Sequence, residues 1–415
     1  MTDSTNLALS DVPPGIAFAH QAILDDAQSI VGYELFDRSA LARSHTAASD
    51  AQLLFNVLSS VDSESPIGNK TIFINCTHDS LAGGHLDLIA PQRVVLEVPA
   101  LPATDVDQIL TRLPNLQEIK RRGFRLAFDL SILTLPYAPW RELASFIKLD
   151  LTVMRLSSIE SFVKLAREST AAQLIAEKIE TSEQFEMVSA LGIKLFQGFW
   201  FAKPILVQGQ SVRSAQANIL QLINLVRKQA STAEIEELLK RDPTMSFNLL
   251  RFINSAGFGM RTEVTSFKHA VMLLGLNRLF KWAALLLTTS KSGDMIPAVG
   301  TTAVARGRLM ELLAAELLPQ EECDNAFVVG VFSLLDTMLG LSMEVALATV
   351  ALPDSVMQAL LHQSGPLAPF LELTVACETG NDEAFARTAT QLGLNNNQVN
   401  WAHVQALAWT ETMGV

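Results

Sequence analysis

Ile30-Val31-Gly32-Tyr33-Glu34-Leu35-Phe36 is a short apolar run carrying one acid, and it sets the pattern for the first half of the chain. Runs of the same kind recur at Thr71 to Asn75, at Arg93 to Val98 with Glu97, and at Arg125 to Leu130 with Asp129. Two more follow, Phe146 to Asp150 with Lys148 and Leu174 to Glu180. Between them lie helical stretches such as Asp105 to Arg122 and Ser182 to Leu191. Strand-like runs that alternate with helical ones specify a mostly parallel sheet with helices outside it. Closed into a barrel, such strands carry the polar residues near their C-terminal ends to one mouth, where active sites of this architecture lie. Three acids, an amide and a lysine gathered there point to a metal and phosphate site.

The chain of 415 residues has material for two or three domains with buried cores, and its hydrophobic fraction of 49% agrees. A formal net charge of -12 argues against nucleic-acid binding, which depends on Lys and Arg neutralising phosphates. Cys76, Cys323 and Cys377 are isolated in sequence, so neither a disulfide framework nor a thiolate zinc site is indicated, and a reduced cytoplasmic setting is expected. Met1 to Pro14 holds Asp3 and Asp11 but no basic residue and no long apolar core, which reads as a flexible tail over 1–14 and not a secretory signal. The most apolar later stretch, Ala326 to Met343, is broken by Asp336 and falls short of the roughly 20 apolar residues of a membrane span, so a buried helix and no membrane contact are expected.

Organisation changes near Pro204. After it the strand signals vanish, and Ile219, Leu220, Leu222, Ile223 and Val226 recur at helical spacing. Ser231 to Glu234 has the form in which side chain and backbone cap each other at a helix start, and Pro243 ends that helix. A segment from Thr244 to Asn254 presents Phe247, Leu250 and Ile253 on one face, and a further helix runs from about Ser266 to Leu274. Trp282 and Phe280 read as core. Lys203 to Val212, with Pro204 and Gly209, is the linker candidate.

A family resemblance covers nearly the whole chain. Ala19-His20-Gln21-Ala22-Ile23, a turn near Asp25-Asp26, and Tyr33-Glu34-Leu35-Phe36 resemble the opening hairpin and name-giving motif of the EAL domain, the cyclic di-GMP phosphodiesterase module. Phe73-Ile74-Asn75, Leu96-Glu97-Val98, Leu126-Ala127-Phe128-Asp129, Ile147-Lys148-Leu149-Asp150, Ala176-Glu177-Lys178-Ile179-Glu180 and Phe196-Gln197-Gly198-Phe199 follow in the family's order. Arg241-Asp242-Pro243, Leu249 to Ala256 and Ala270 to Leu276 resemble the HDOD domain, similar to a helical metal phosphohydrolase without its His and Asp ligands. His269, His362 and His403 have no adjacent Asp, and the pair His78-Asp79 reads as loop polarity. The resemblance implies an α/β plus all-α chain: an EAL-type modified TIM barrel over 15–204, then an all-helical HDOD domain over 205–415 with a C-terminal helical extension.

By the same resemblance Glu34, Asn75, Glu97 and Asp129 match the ligands of a first metal, able to hold one Mg or Ca ion. Lys148 matches the lysine near the attacking water, Glu180 and Gln197 complete the site, and Gln21 and Arg38 match positions that contact nucleotide. Glu177 reads as a surface or structural ion-pair residue. The family's second Asp is replaced by Leu130, its Phe-Gly-x-Gly loop by Ser131-Ile132-Leu133-Thr134, and the second acid of its Glu-x-x-Glu by Ala100. A leucine cannot coordinate a cation, and Ile132-Leu133 cannot copy a backbone that needs glycine. The expectation is a catalytically silent regulator that binds cyclic di-GMP or a signalling protein through its helical half, in a chain that can pair with a second copy. The alternative is a weak metal-dependent phosphodiesterase yielding the linear dinucleotide.

Overall fold

A computed structural model describes residues 18–37, 70–83, 86–87, 89–203, 214–242, 245, 249, 267–289 and 297–412. The expectations for the tail at 1–14, for Arg38, for the Pro204 boundary and for most of 244–254 concern residues outside this set.

Eight strands close into a barrel: β1 (Phe18–Leu24), β2 (Ile30–Asp37), β3 (Thr71–Asn75), β4 (Val94–Glu97), β5 (Arg125–Phe128), β6 (Ala144–Asp150), β7 (Gln173–Ile179) and β8 (Leu195–Gly198). β1 runs antiparallel to both β2 and β8, and the other neighbours pair in parallel. This is the modified TIM barrel expected from the sequence. Ile23, Phe73, Val95, Ala127, Phe146 and Ile175 pack together inside it. Successive strand residues alternate between faces, so the residue two places on shares the inward face. That rule carries Asn75, Glu97, Asp129, Lys148 and Glu177 to the mouth, and Gln197 from Leu195. In β1 the chain runs the other way, and the inward polar residue, Gln21, lies two places before Ile23.

The outward residues Tyr33, Leu35, Ile74, Leu96, Leu126, Leu149 and Phe196 belong to a second buried cluster against the surrounding helices. Those of the first half are α1 (Val106–Arg121), α2 (Leu156–Ser169) and α3 (Ser182–Ala190). Thr181 caps α3 through a reciprocal bond pattern with Gln184. His78 and Asp79 sit in a one-turn helix, His78 beside Trp140 and Asp79 exposed, in keeping with loop polarity.

Beyond the barrel the described chain is helical: α4 (Ser214–Arg227), α5 (Thr232–Arg241), α6 (Phe267–Thr289), α7 (Pro297–Ala315), α8 (Gln320–Phe332), α9 (Leu335–Leu339), α10 (Met343–Ala348), α11 (Asp354–His362), α12 (Ala368–Thr379), α13 (Asp382–Leu392) and α14 (Asn396–Thr412). The expected apolar face of α4 is buried from Ile219 to Val226, and Ser231 and Glu234 cap α5 reciprocally. α6 kinks at Gly275, whose φ of 69° lies where a side chain is disfavoured, so the helix expected to end near Leu274 does break there. Trp282 and Phe280 are buried. Within α6, Val271–Thr288 is long and apolar enough to cross a membrane by length and composition, but 56% of it is buried inside the fold. Ala326 to Met343 forms no continuous helix, because the chain leaves helical geometry at Leu334 between α8 and α9.

α7 and α8 are pressed together where Gly307 meets Gly330: a Cβ on Gly330 would lie 2.5 Å from the Gly307 Cα. Next to Gly307 on α7, the buried Arg306 donates to both carboxylate oxygens of Glu378 on α12, at 2.8 to 3.0 Å, and to Ser333 at 2.9 Å. Ala298, Val299 and Ala303 of α7, Leu334, Met338 of α9, and Val404 and Leu407 of α14 join the cluster that covers the barrel's outer face. The helical half is thus packed onto the barrel through apolar surface.

Candidate functional site

The mouth of the barrel opens into a cavity of about 330 Å³ lined by Gln21, Glu34, Asn75, Glu97, Asp129, Lys148, Glu177 and Gln197 among others. Its centre is Lys148. The ammonium lies 2.7 Å from Glu34 Oε2, 2.6 Å from Glu97 Oε2 and 2.5 Å from Glu177 Oε1. Asn75 Nδ2 donates to Glu34 Oε1 at 2.9 Å, and Gln197 Nε2 donates to Glu34 Oε2 at 2.7 Å and to Gln21 Oε1 at 2.8 Å. Residues from β1, β2, β3, β4, β6, β7 and β8 therefore form one connected polar network.

Its charge is unbalanced, with three carboxylates facing one ammonium. Burial opposes the charge of Lys148, yet the Glu97 and Glu34 carboxylates outweigh it and hold the pKa above that of an ordinary lysine. Glu97 responds in the opposite sense. Burial first, then repulsion from Glu34, push its carboxyl up to about 7 despite the attraction of Lys148. Glu97 Oε1 and Gln197 Oε1 are buried acceptors without a hydrogen-bond donor.

In donor chemistry the residues fit one hard divalent cation, since Glu34, Asn75, Glu97 and Asp129 offer only oxygens and Glu97 keeps one of them unpartnered. In arrangement the carboxylates converge on the lysine. Among the described residues no group of three His, Cys, Asp or Glu side chains is placed to hold a metal ion.

One expected site residue, Glu180, stands elsewhere, and a second, Asp129, reaches only the rim. Glu180 is exposed and does not line the cavity, its backbone N–H donating to Gln184 Oε1 at 2.7 Å as part of the α3 cap. Lys178 takes a left-handed φ of 56° and the β7–β8 register shifts between Ala176 and Ile179. That irregularity turns Ile179 toward the helices and leaves Glu180 outside. Glu177 takes the inward place, and the signal was available: it stands two residues after the apolar Ile175. Asp129 reaches the rim but is exposed, and it accepts from the Ser131 N–H at 2.9 Å and from the Ser131 hydroxyl, capping the tight turn Leu130–Leu133.

That turn is anchored by apolar packing and not by glycine. Ile132 and Leu133 are buried, and Leu130 is half-buried against the outer cluster. Arg141 ties the segment down further, donating to the carbonyls of Ile132, Leu133 and Thr134 at 3.1, 2.6 and 3.1 Å.

Residues 40–204 match the EAL domain family and residues 213–341 match the HDOD domain family. Over 403 residues the chain is 25% identical to the cyclic di-GMP phosphodiesterase CdgJ of Vibrio cholerae, spanning 95% of this chain and 92% of that one. It is also 25% identical over 407 residues to the uncharacterized protein YuxH of Bacillus subtilis, spanning 95% and 98% respectively. A solved structure of BlrP1 from Klebsiella pneumoniae, a calcium and cyclic di-GMP complex, is 22% identical over 48% of this chain and 58% of that one, with a TM-score of 0.37.

Proposed function

The chain joins an EAL domain to an HDOD domain, and from that premise we propose that it works in cyclic di-GMP signalling as a receptor whose barrel holds the nucleotide without hydrolysing it. The observation that carries this reading is the end of β5. Two-metal hydrolysis of a phosphodiester needs carboxylates shared between both ions. Here the one acid, Asp129, is followed by Leu130, and the segment beyond it is buried and tied by Arg141. No second carboxylate stands beside Asp129 to be shared with another ion, and the segment that follows is packed and hydrogen-bonded in place.

The binding parts of the mouth are present. Gln21 and Gln197 offer amides to a base or ribose, with Arg38 next in the sequence to the described hairpin as a fork for phosphate. One Mg or Ca ion would be held by Glu34, Asn75, Glu97 and Asp129 once the two glutamates turn from Lys148 and Asp129 from Ser131, and it would supply positive charge against a phosphate. In this reading Glu177, paired with Lys148, serves as the β7 acid in place of the Glu180 that the family resemblance suggests. The helical half is the output module, engaging a signalling protein.

A second reading, slow hydrolysis to the linear dinucleotide, is favoured by the phosphodiesterase name of the Vibrio cholerae relative and by the gathering of Glu34, Glu97 and Lys148 in one network. The deciding experiment incubates the full chain with cyclic di-GMP and Mg or Mn, and measures binding at equilibrium and linear product by chromatography. Binding without product is expected. Turnover that Glu34→Ala abolishes would establish the second reading, and absence of binding would remove the receptor.

A further inference from the structure

β1 and β2 are two-faced, and the two faces serve different halves of the molecule. Toward the mouth, Gln21 and Glu34 stand opposite each other in register and are bridged by Gln197. Toward the helices, His20 and Tyr33 are buried with ring centroids 5.2 Å apart. The His20 ring lies 4.4 Å from that of His403 on α14, and the two imidazoles share a hydrogen bond between His20 Nδ1 and His403 Nε2.

Other contacts fall on the same elements, beside an ion pair of Lys70, just before β3, with Glu411 of α14 at 4.0 Å. α12 packs against β1, and α7 packs against β2 and against the turn Trp200–Ala202 that follows β8. The Ala298 N–H of α7 donates to the Gln28 carbonyl in the β1–β2 turn at 3.2 Å, and the Thr337 hydroxyl donates to the Ala202 carbonyl at 3.2 Å. The helical half therefore grips the strands or strand ends that carry Gln21, Glu34 and Gln197, the three residues joined by hydrogen bonds in the mouth.

We propose that this seam of His20, Tyr33 and His403 couples the occupancy of the barrel mouth to the arrangement of the helical half, with the β1–β2 hairpin as the moving part. Its ligand rests on the receptor reading above; the mechanical link does not. Adjacent strand residues point to opposite faces, so a displacement that re-aims Gln21 or Glu34 also moves His20 and Tyr33. The seam answers in discrete steps, because an imidazole pair needs one ring as donor and the other as acceptor, and a close-packed interior does not deform gradually. Coupling of this kind is reciprocal: a partner that changes the helices must change nucleotide affinity by the same factor.

Hydrogen exchange on the full chain tests the link first without nucleotide. Gln197→Leu, a change in the mouth, is expected to speed exchange in 396–412, and His403→Leu to speed exchange in 18–37, each by about fivefold or more. Residues 354–362 stay unchanged, as does 18–37 in Arg387→Ala, a surface change on α13. With saturating cyclic di-GMP, exchange in 396–412 slows, His403→Leu weakens binding by about fivefold or more, and His403→Gln, which keeps a side-chain hydrogen bond, restores most of it. Failure of the wild type to bind nucleotide would overturn the receptor reading alone, since the ligand-free arm still decides the coupling. Unmoved exchange across the seam, or a uniform rise in every segment, would overturn the coupling. If His403→Leu does not fold, Gln197→Leu carries the ligand-free comparison by itself.

Discussion

At the barrel mouth three carboxylates share the single ammonium of Lys148, whereas in the helical half Arg306 meets one carboxylate, Glu378, in a bidentate pair. Both groups are shut away from water to a similar degree: 9% side-chain exposure at Lys148 and 8% at Arg306. The difference is in charge balance. A one-to-one pair with saturated hydrogen bonds is what a core tolerates, and it fixes how α7, α8 and α12 lie together. An excess of buried negative charge works against folding, and groups perturbed in this way cluster at functional sites. Equal burial with unequal charge therefore distinguishes a structural ion pair from a candidate binding site inside one chain.

The contrast can be broken most forcefully at the balanced pair. Arg306→Met leaves Glu378 charged and alone, and should cost about 3–5 kcal/mol in urea unfolding, while adding Glu378→Leu recovers most of it. A loss from the single change that the double change fails to restore would mean that Arg306 acts through packing and not through charge. The mouth should show its imbalance as a pH dependence. With its folded-state pKa near 7 against an ordinary 4.5, Glu97 adds stability that is fully present below about 4.5 and lost as pH rises through 7. The penalty at pH 8 is up to roughly 3 kcal/mol, and thermal unfolding across pH 5 to 8 should flatten in Glu97→Gln. The smallest effect sharpens the role of the lysine. Lys148→Met removes the internal positive charge, and calcium titrated calorimetrically at pH 8 should bind about tenfold more tightly than to the wild type. Unchanged affinity would separate the cation's place from the carboxylates around Lys148.

Much of this site was legible in the chain. The apolar runs located Glu34, Asn75, Glu97 and Lys148, and the family resemblance added Gln197; the strand rule that buries Phe73, Val95 and Phe146 explains why the residue two places on enters the mouth. Glu177 read from the sequence as a surface or structural ion-pair residue while the resemblance pointed to Glu180, and only the left-handed Lys178 shows why the strand loses phase before the later acid. Leu130 was visible as a missing ligand. That Ile132, Leu133 and Arg141 hold the following turn in place was not, since it depends on contacts the turn makes after the barrel closes.

The sequence by itself determined the barrel, its strand order and the residue types at the mouth, because alternation and helix periodicity are local properties written within a few residues of one another. It also determined the defect after β5, since no folding can give leucine a charge. Only the tertiary structure decided that three particular acids meet on one lysine and that Asp129 turns to cap its own loop. It alone decided that His20 meets His403 from 383 positions away in the chain. Contacts of that range are set by how whole elements pack, and no local pattern in either segment encodes the other.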